Sequence, residues 1–138
     1  MPTRERLNSF VDTVVTGQFV DALRDYYHED AITRENNGPD RRGLSTLIAI
    51  EKRMLSAFDI RSHPPTRVLH DGDDVAIHWT FDIIDPAGTT RRMEEVALQR
   101  WRGDRIAEER FFFDPALPTV AAASPAIDGD FVTLGDAS

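Results

Sequence analysis

The chain has 138 residues, of which 41% are hydrophobic and 29% charged, a balance typical of one globular domain. Its formal net charge of −8 disfavours nucleic acid as a partner. Cysteine is absent, which excludes disulfides, thiolate catalysis and thiolate-bound metals. Because we find no apolar run long enough to span a membrane and no signal peptide, we expect a cytoplasmic protein with no membrane partner.

Three helices are predicted in the first half of the chain. Apolar residues three and four positions apart form a stripe on each helix. These residues are Leu7, Phe10, Val11, Val14 and Val15 in the first helix, Phe19, Val20, Leu23, Tyr26 and Tyr27 in the second, and Leu44, Leu47, Ile48, Leu55 and Phe58 in the third. Thr3 is the predicted N-cap of the first helix. A short strand at 31–35 is expected before the third helix, because that segment is partly β-branched and alternates.

Four further strands are predicted in the second half, at 66–70, 75–84, 91–102 and 105–113. They are joined mostly by short turns, which require antiparallel neighbours. The order α-α-β-α-β-β-β-β predicts an α+β fold, with the helices on the concave face of a curved sheet that can enclose a pocket. We place this single domain at residues 1–114. The segment 115–138 contains Phe131 as its one aromatic residue and no Lys or Arg, so we expect a loosely ordered tail.

Four stretches of the sequence resemble the nuclear transport factor 2-like superfamily, which includes ketosteroid isomerases and SnoaL-like polyketide cyclases. The stretches are FVDTVVTGQF, YYHEDAITREN, RRGLSTLIAIEKRM and LQRWRGDRIAEERFFFDP, and the resemblance spans residues 5–114. It implies a cone-shaped, cystatin-like α+β barrel, whose antiparallel sheet wraps around the helices and encloses an apolar pocket. It also implies a homodimer formed through the sheet, for which Ile77, Val96 and Leu98 are the expected outer apolar residues.

Three carboxylates are candidate catalytic groups. Glu35 stands where sequences of the ketosteroid isomerase type carry the general base, and Asp114 stands where SnoaL-like cyclases carry an acid/base for aldol ring closure. Glu109 is added by strand alternation if Phe111 and Phe113 face the pocket. The other register would point Glu108, Arg110 and Phe112 inward, and the resemblance to the isomerase strand favours the first. A carboxylate surrounded by aromatic rings would have its pKa raised by desolvation, as a base working near neutrality needs.

Each of these carboxylates has a plainer interpretation. Glu35 could be a solvated residue at a strand end, or could pair with Arg41 or Arg42. Asp114 precedes a proline and could be a turn residue. Glu109 could pair with Glu35, bind a substrate, or form a salt bridge with an arginine of a neighbouring strand.

The donors that stabilise the oxyanion in a ketosteroid isomerase are missing at the aligned positions. Phe10 stands where the donor tyrosine is expected, and Ala97 stands where the donor aspartate is expected. Steroid isomerisation by that mechanism is therefore disfavoured. Epoxide hydrolysis is also unsupported, because the stretch that should offer an Arg and an Asp two residues apart offers Glu95 and Ala97.

The candidate substrate-binding residues are mainly aromatic, although most could simply be core. They are Phe10, Tyr26, Tyr27, Met54, Phe58, Trp79, Phe81, Gln99, Trp101, Phe111 and Phe113. Tyr27 or Gln99 could polarise a substrate carbonyl. The four histidines show no metal-ligand spacing and there is no glycine-rich phosphate loop, so we predict neither a metal nor a cofactor.

The leading hypothesis is a cofactor-free cyclase or isomerase that moves protons by means of carboxylates. Glu35 would act as the base, and Asp114 or Glu109 as its partner. The ligand would be a small hydrophobic molecule, polyketide-like or cyclic. The alternative is a non-catalytic binding or dimerisation module of the same fold.

Overall fold

The computed structural model describes residues 1–121 and shows a seven-stranded sheet that curls around three helices. The helices are α1 (Arg4–Val15), α2 (Phe19–Tyr26) and α3 (Leu44–Ala57). The strands are β1 (Tyr27–Glu35), β2 (Arg41–Arg42), β3 (Asp59–Ser62), β4 (Arg67–Asp71), β5 (Asp74–Ile84), β6 (Thr90–Arg102) and β7 (Arg105–Phe113). None of the helices in this described part is long and apolar enough to cross a membrane.

The strand order in the sheet is β2-β1-β7-β6-β5-β3, and β4 also pairs with β5. All pairings are antiparallel except that of β1 with β7, which is parallel and places Thr33 beside Glu109 and Glu35 beside Phe111. This pairing joins β1, which follows directly after α2, to β7, the last strand of the chain. Residues of β1 and β7 therefore share one wall of the barrel.

The predicted α+β architecture is confirmed, including the order of the three helices and the long strands. The structure adds two short strands, β2 and β3, and lengthens β1. β1 begins at Tyr27 because α2 ends at Tyr26 and its C-cap Tyr27 is extended, with φ −111° and ψ 146°. β3 forms because Asp59–Ser62 pairs with β5, and four residues carry too little pattern to predict such a tertiary pairing.

The core lies between the helices and the inner face of the sheet, and strand alternation decides which residues enter it. On β5 the inward residues are Val75, Ile77 and Trp79. The prediction that Ile77 lies on the outer face is therefore wrong: Ile77 is fully buried, because it is two residues from Trp79 and shares its face. Val96 and Leu98 do lie outside, at 42% and 48% exposure.

The segment that follows β7 lies against the beginning of β6. The Arg92 amide donates to the Pro118 carbonyl at 2.9 Å, and the Val120 amide donates to the Thr90 carbonyl at 2.8 Å. The first residues beyond 114 thus contact the domain. The rest of the predicted tail, from residue 122 onward, lies outside the described residues.

The N-terminus of α1 offers a test of local stabilisation. Thr3 Oγ1 accepts a hydrogen bond from the Arg6 amide at 3.0 Å, as expected for an N-cap. Thr3→Ala should lower the free energy of unfolding by about 1 kcal/mol. The substitution removes the hydroxyl that accepts from the Arg6 amide, and this amide has no other acceptor within the helix. Thr13→Ala, inside the same helix, is the matched control. Equal losses from the two substitutions in urea unfolding would contradict this assignment.

Candidate functional site

A cavity of about 420 Å³ lies between the helices and the concave face of the sheet. Aromatic and aliphatic side chains of α1, α2, α3 and the long strands form most of its wall, and Leu117 of the C-terminal segment adds to it. Four glutamates also reach this wall: Glu35, Glu51, Glu95 and Glu109. The wall of the cavity is thus mostly apolar, and most of its charged groups are acidic.

Glu109 is held at the wall by a buried chain of hydrogen bonds. The Tyr27 hydroxyl donates to Glu109 Oε1, and Gln99 Nε2 donates to Glu109 Oε2 at 2.7 Å. Trp101 Nε1 donates in turn to Gln99 Oε1 at 2.9 Å. Gln99 stands opposite Glu109 in the register of β6 and β7, so the sheet itself brings the two together. We call these four residues the Glu109 network.

Burial is the main influence on the protonation of the two acidic groups in the Glu109 network. Burial raises the pKa of Glu109 to about 7, although the hydrogen bonds from Tyr27 and Gln99 favour the charged form. Burial and the neighbouring charge of Glu109 raise the pKa of the Tyr27 phenol well above its usual value. Near neutral pH, Glu109 can therefore gain or lose a proton while Tyr27 keeps its own.

Glu95 is the second buried carboxyl, and it is not among the predicted site residues. It lies on β6 two residues before Ala97, on the same inward face, and is only 7% exposed. Within residues 1–121 its carboxyl forms no hydrogen bond and no ion pair. Burial raises its pKa to about 8, with further contributions from the charges of Glu109, Glu35 and Glu51. The alternation that places Gln99 inward also predicts Glu95 inward, and this signal was available in the sequence.

Glu35 and Glu51 are less deeply buried. Arg41 Nη2 donates to Glu35 Oε1 at 3.0 Å, and the two side chains are 32% and 42% exposed. A pair with Arg41 is one of the alternatives that the sequence left open for Glu35. Glu51, on α3, is buried enough for its pKa to be raised, and the charge of Glu35 raises it further. Among residues 1–121, Arg41 is the one basic side chain on the cavity wall.

Most of the predicted site residues meet at this cavity. Those on its wall are Glu35, Glu109, Phe10, Tyr27, Met54, Trp79, Phe81, Phe111 and Phe113. Gln99 and Trp101 lie behind the wall in the Glu109 network. Glu109 faces inward together with Phe111 and Phe113, in the one of the two possible registers that the resemblance to the isomerase strand favoured. It pairs with Tyr27 and Gln99 and forms no salt bridge with a described residue.

Three predicted site residues lie elsewhere. Tyr26 is buried beside α1, where its hydroxyl shares a hydrogen bond with Ser9 Oγ at 2.5 Å. Phe58 lines a separate and more open groove of about 530 Å³ at the end of α3. Asp114 is exposed and its Oδ1 accepts from the Ala116 amide at 2.9 Å, the arrangement of a turn residue.

The two positions without isomerase donors have polar neighbours in space. The Phe10 ring packs against Tyr27, with ring centroids 6.3 Å apart, and Glu95 stands two residues from Ala97 on the same face. The Tyr27 phenol and the Glu95 carboxyl thus lie near the two aligned positions that lack a polar group. No three His, Asp or Glu residues of the described part are grouped closely enough to hold a metal ion.

Comparison with known proteins agrees with this architecture. The family model described as SnoaL-like domain matches residues 7–109, and the chain belongs to that family. No curated protein matches the chain.

Several solved structures share the fold. One is a candidate SnoaL-like polyketide cyclase from Mesorhizobium loti, with 24% identity, a TM-score of 0.70, and coverage of 80% of this chain and 98% of that one. A candidate polyketide cyclase from Pseudomonas putida has 19% identity and a TM-score of 0.72, covering 83% and 93%. An LEH-like epoxide hydrolase from M. tuberculosis has 16% identity and a TM-score of 0.67, covering 80% of each chain. At sequence identities this low, the similarity to these structures establishes the fold only.

The burial of Glu95 should make the free energy of unfolding depend on pH. A carboxyl whose pKa rises from 4.5 in the unfolded chain to about 8 in the fold destabilises the fold progressively as pH increases between those values. Glu95→Gln should therefore gain stability over the wild type between pH 5 and 9, by on the order of 4 kcal/mol. Urea unfolding at several pH values measures this difference.

The control is Glu108→Gln, on β7 and facing outward, because Glu108 is exposed and forms no ion pair among residues 1–121. Its stability should follow the wild type over the same pH range. A constant difference between Glu95→Gln and the wild type at all pH values would show that Glu95 titrates normally.

Proposed function

We propose that this protein is a cofactor-free enzyme that transfers protons on a small, largely apolar carbonyl compound, with Glu109 as the base. One observation carries the proposal: a carboxyl on the wall of an apolar cavity has both oxygens hydrogen-bonded and a pKa of about 7. A general base is most effective when its pKa is near the working pH. The polyketide-cyclase names of several structural neighbours are consistent with such chemistry.

In the proposed step, ionised Glu109 removes a proton from the carbon next to the substrate carbonyl. The C–H bond breaks, its electron pair moves into an enolate, and the proton stays on Glu109. Where a double bond is conjugated with the enolate, return of the proton at the far carbon of the dienolate gives an isomer. Where the enolate carbon attacks a second carbonyl, a C–C bond closes the ring and the resulting alkoxide takes the proton back from Glu109. Once Glu109 is neutral, it needs the Tyr27 hydrogen bond less, so that hydroxyl becomes available to the enolate oxygen.

Glu35 is a weaker candidate for the base than the sequence predicted. Its Oε1 is bound to Arg41, and its side chain is 42% exposed. Such a pair can orient a polar end of the substrate. Asp114 takes no part in the proposed step, because it lies away from the cavity wall.

Exchange of carbon-bound hydrogen tests this proposal without knowledge of the natural substrate. We expect the protein to accelerate deuterium incorporation next to the carbonyl of 2-tetralone and related cyclic ketones, followed by NMR. The rate should increase with pH through about 7 as Glu109 ionises. Glu109→Gln should slow exchange by about a hundredfold or more, because a base contributes that much in enzymes.

Glu108→Gln is the matched control, since Glu108 is exposed on the same strand and should leave the rate unchanged. Loss of exchange in Glu35→Gln with retention in Glu109→Gln would transfer the role of base to Glu35. No exchange above the Glu109→Gln background with any ketone would favour the alternative function, a non-catalytic binding module. That alternative is supported by the hydroxyl of Tyr27 and the amide of Gln99, which are both engaged by Glu109.

We further propose that the outer face of the sheet binds a second copy of the chain. Four large hydrophobic residues are exposed there on neighbouring strands, namely Leu69, Val96, Leu98 and Phe112. Register places Val96 beside Phe112, and Ala76 lies between Leu69 and Leu98. A continuous apolar patch of this kind is typical of an interface.

Sedimentation measures this association. The wild type should sediment as a dimer at tens of micromolar, and Leu98→Asp should sediment as a monomer with an unchanged circular dichroism spectrum, because a carboxylate cannot be buried in an apolar interface without large cost. A wild type that is monomeric at that concentration would contradict the proposal.

A further inference from the structure

Glu95 is the most deeply buried of the cavity carboxyls that have no partner; Glu51 also forms no hydrogen bond or ion pair among residues 1–121, but it is only partly buried. Glu109 receives hydrogen bonds at both oxygens, and Glu35 is paired with Arg41. Glu95 is 7% exposed, reaches the cavity wall, and meets no donor among residues 1–121. A buried polar group without a partner costs free energy, so its presence is best explained by a partner that arrives from outside.

The charges around Glu95 determine the kind of partner that fits. Glu109 on β7, Glu35 on β1 and Glu51 on α3 are its charged neighbours, and each disfavours a negative charge there. Arg41 on β2 is already paired, while α1 and α2 present only apolar side chains to the cavity. The field at Glu95 therefore repels an anion and attracts a cation.

The neighbours of Glu95 in the sheet are aromatic. In the register of the strands, Glu95 lies between Trp79 of β5 and Phe113 of β7, and all three line the cavity. Trp79 stacks on Phe81 with ring centroids 5.7 Å apart. A carboxylate flanked by aromatic faces suits an ammonium group, which can pair with the charge and lie over a ring. The glutamates are too dispersed for a metal ion within the described residues.

We propose that the cavity takes a ligand with a protonated amine on a small apolar skeleton, and that Glu95 pairs with this ammonium group. The inference extends the proposed function, because it names the class of molecule that the same cavity accepts. It is tested by binding alone, without turnover. Glu95 then acts as a specificity residue, while Glu109 moves the proton.

Binding must displace the proton that Glu95 carries in the empty cavity. At pH 7 a carboxyl with a pKa of about 8 is mostly protonated, and an ammonium beside it lowers that pKa. Each ligand bound should therefore release nearly one proton, since the amine stays protonated. The affinity for the ammonium ligand should increase about tenfold per pH unit between pH 6 and 8, because a larger fraction of Glu95 is then ionised before the ligand binds.

The test is isothermal titration calorimetry with 2-phenylethylamine and its neutral analogue 2-phenylethanol, in two buffers of different ionisation enthalpy. The wild type should bind the amine about tenfold more tightly than the alcohol, because only the amine forms the ion pair. Glu95→Gln should lose this preference and the proton release, and its affinity for the alcohol should stay within about twofold of the wild type. Glu94→Gln, on the outer face, is the control and should behave as the wild type.

Three results would overturn the inference. These are equal or tighter binding of the alcohol, a preference for the amine that survives in Glu95→Gln, and no binding of the amine at millimolar concentration. Glu109→Gln separates this inference from the proposed function, since it should lose ketone exchange and still bind the amine. Exchange that depends on Glu109, without any preference for the amine, would reject the ammonium site and leave the proton transfer intact.

Discussion

The parallel pairing of β1 with β7 is the constraint on which the site depends. It connects two strands that are far apart in the sequence, and it lets the Tyr27 hydroxyl reach Glu109, 82 residues further along the chain. The register shifts between Tyr27 and Ile32, so β1 bulges where it leaves α2. A bulge of this kind redirects a side chain, and here it accompanies the turn of Tyr27 toward the cavity. Without this pairing Glu109 would lose one of its two donors.

The cavity contains more acid than a stability-optimised core would keep. Glu95 and Glu109 are both more than nine-tenths buried, and neither has a cationic partner among residues 1–121. Their ionisation opposes folding, which is a cost that proteins accept at functional sites. The large apolar contacts of Trp79, Trp101 and Phe10 with the rest of the core offset that cost.

Patterns within single elements predicted much of this structure. Helical spacing predicted the three helices, and residue type predicted the N-cap at Thr3. Alternation placed Glu109 and Phe111 on one face of β7, and the resemblance to the isomerase strand indicated that this face is the inner one. Alternation also predicts that Glu95 and Ile77 face inward, because Glu95 shares a face with Gln99 and Ile77 shares a face with Trp79. Strand periodicity could not reveal the β1–β7 pairing, because partners so distant in sequence leave no local signal. Asp114 lies outside because β7 ends at Phe113 and the chain turns there.

The same limit applies to the roles of the carboxyls. Sequence reasoning identified Glu35 from its alignment with a known base, yet its contact with Arg41 depends on the short strand β2, which two residues could not predict. The distribution of hydrogen bonds among four glutamates is a property of the folded barrel. It separates the satisfied Glu109 from the unsatisfied Glu95, although the two are chemically identical in the sequence.

Trp101 also decides which oxygen of Glu109 carries a proton. Its indole can only donate, so the Gln99 amide must present its oxygen to Trp101 and its NH₂ group to Glu109 Oε2. A proton on Oε2 would face another donor, whereas a proton on Oε1 faces the Tyr27 hydroxyl, which can rotate and accept it. The network therefore favours the neutral form of Glu109 that is protonated at Oε1. In the proposed reaction the proton would enter and leave the carboxyl at Oε1, so the face of the substrate presented to that atom would determine the stereochemistry.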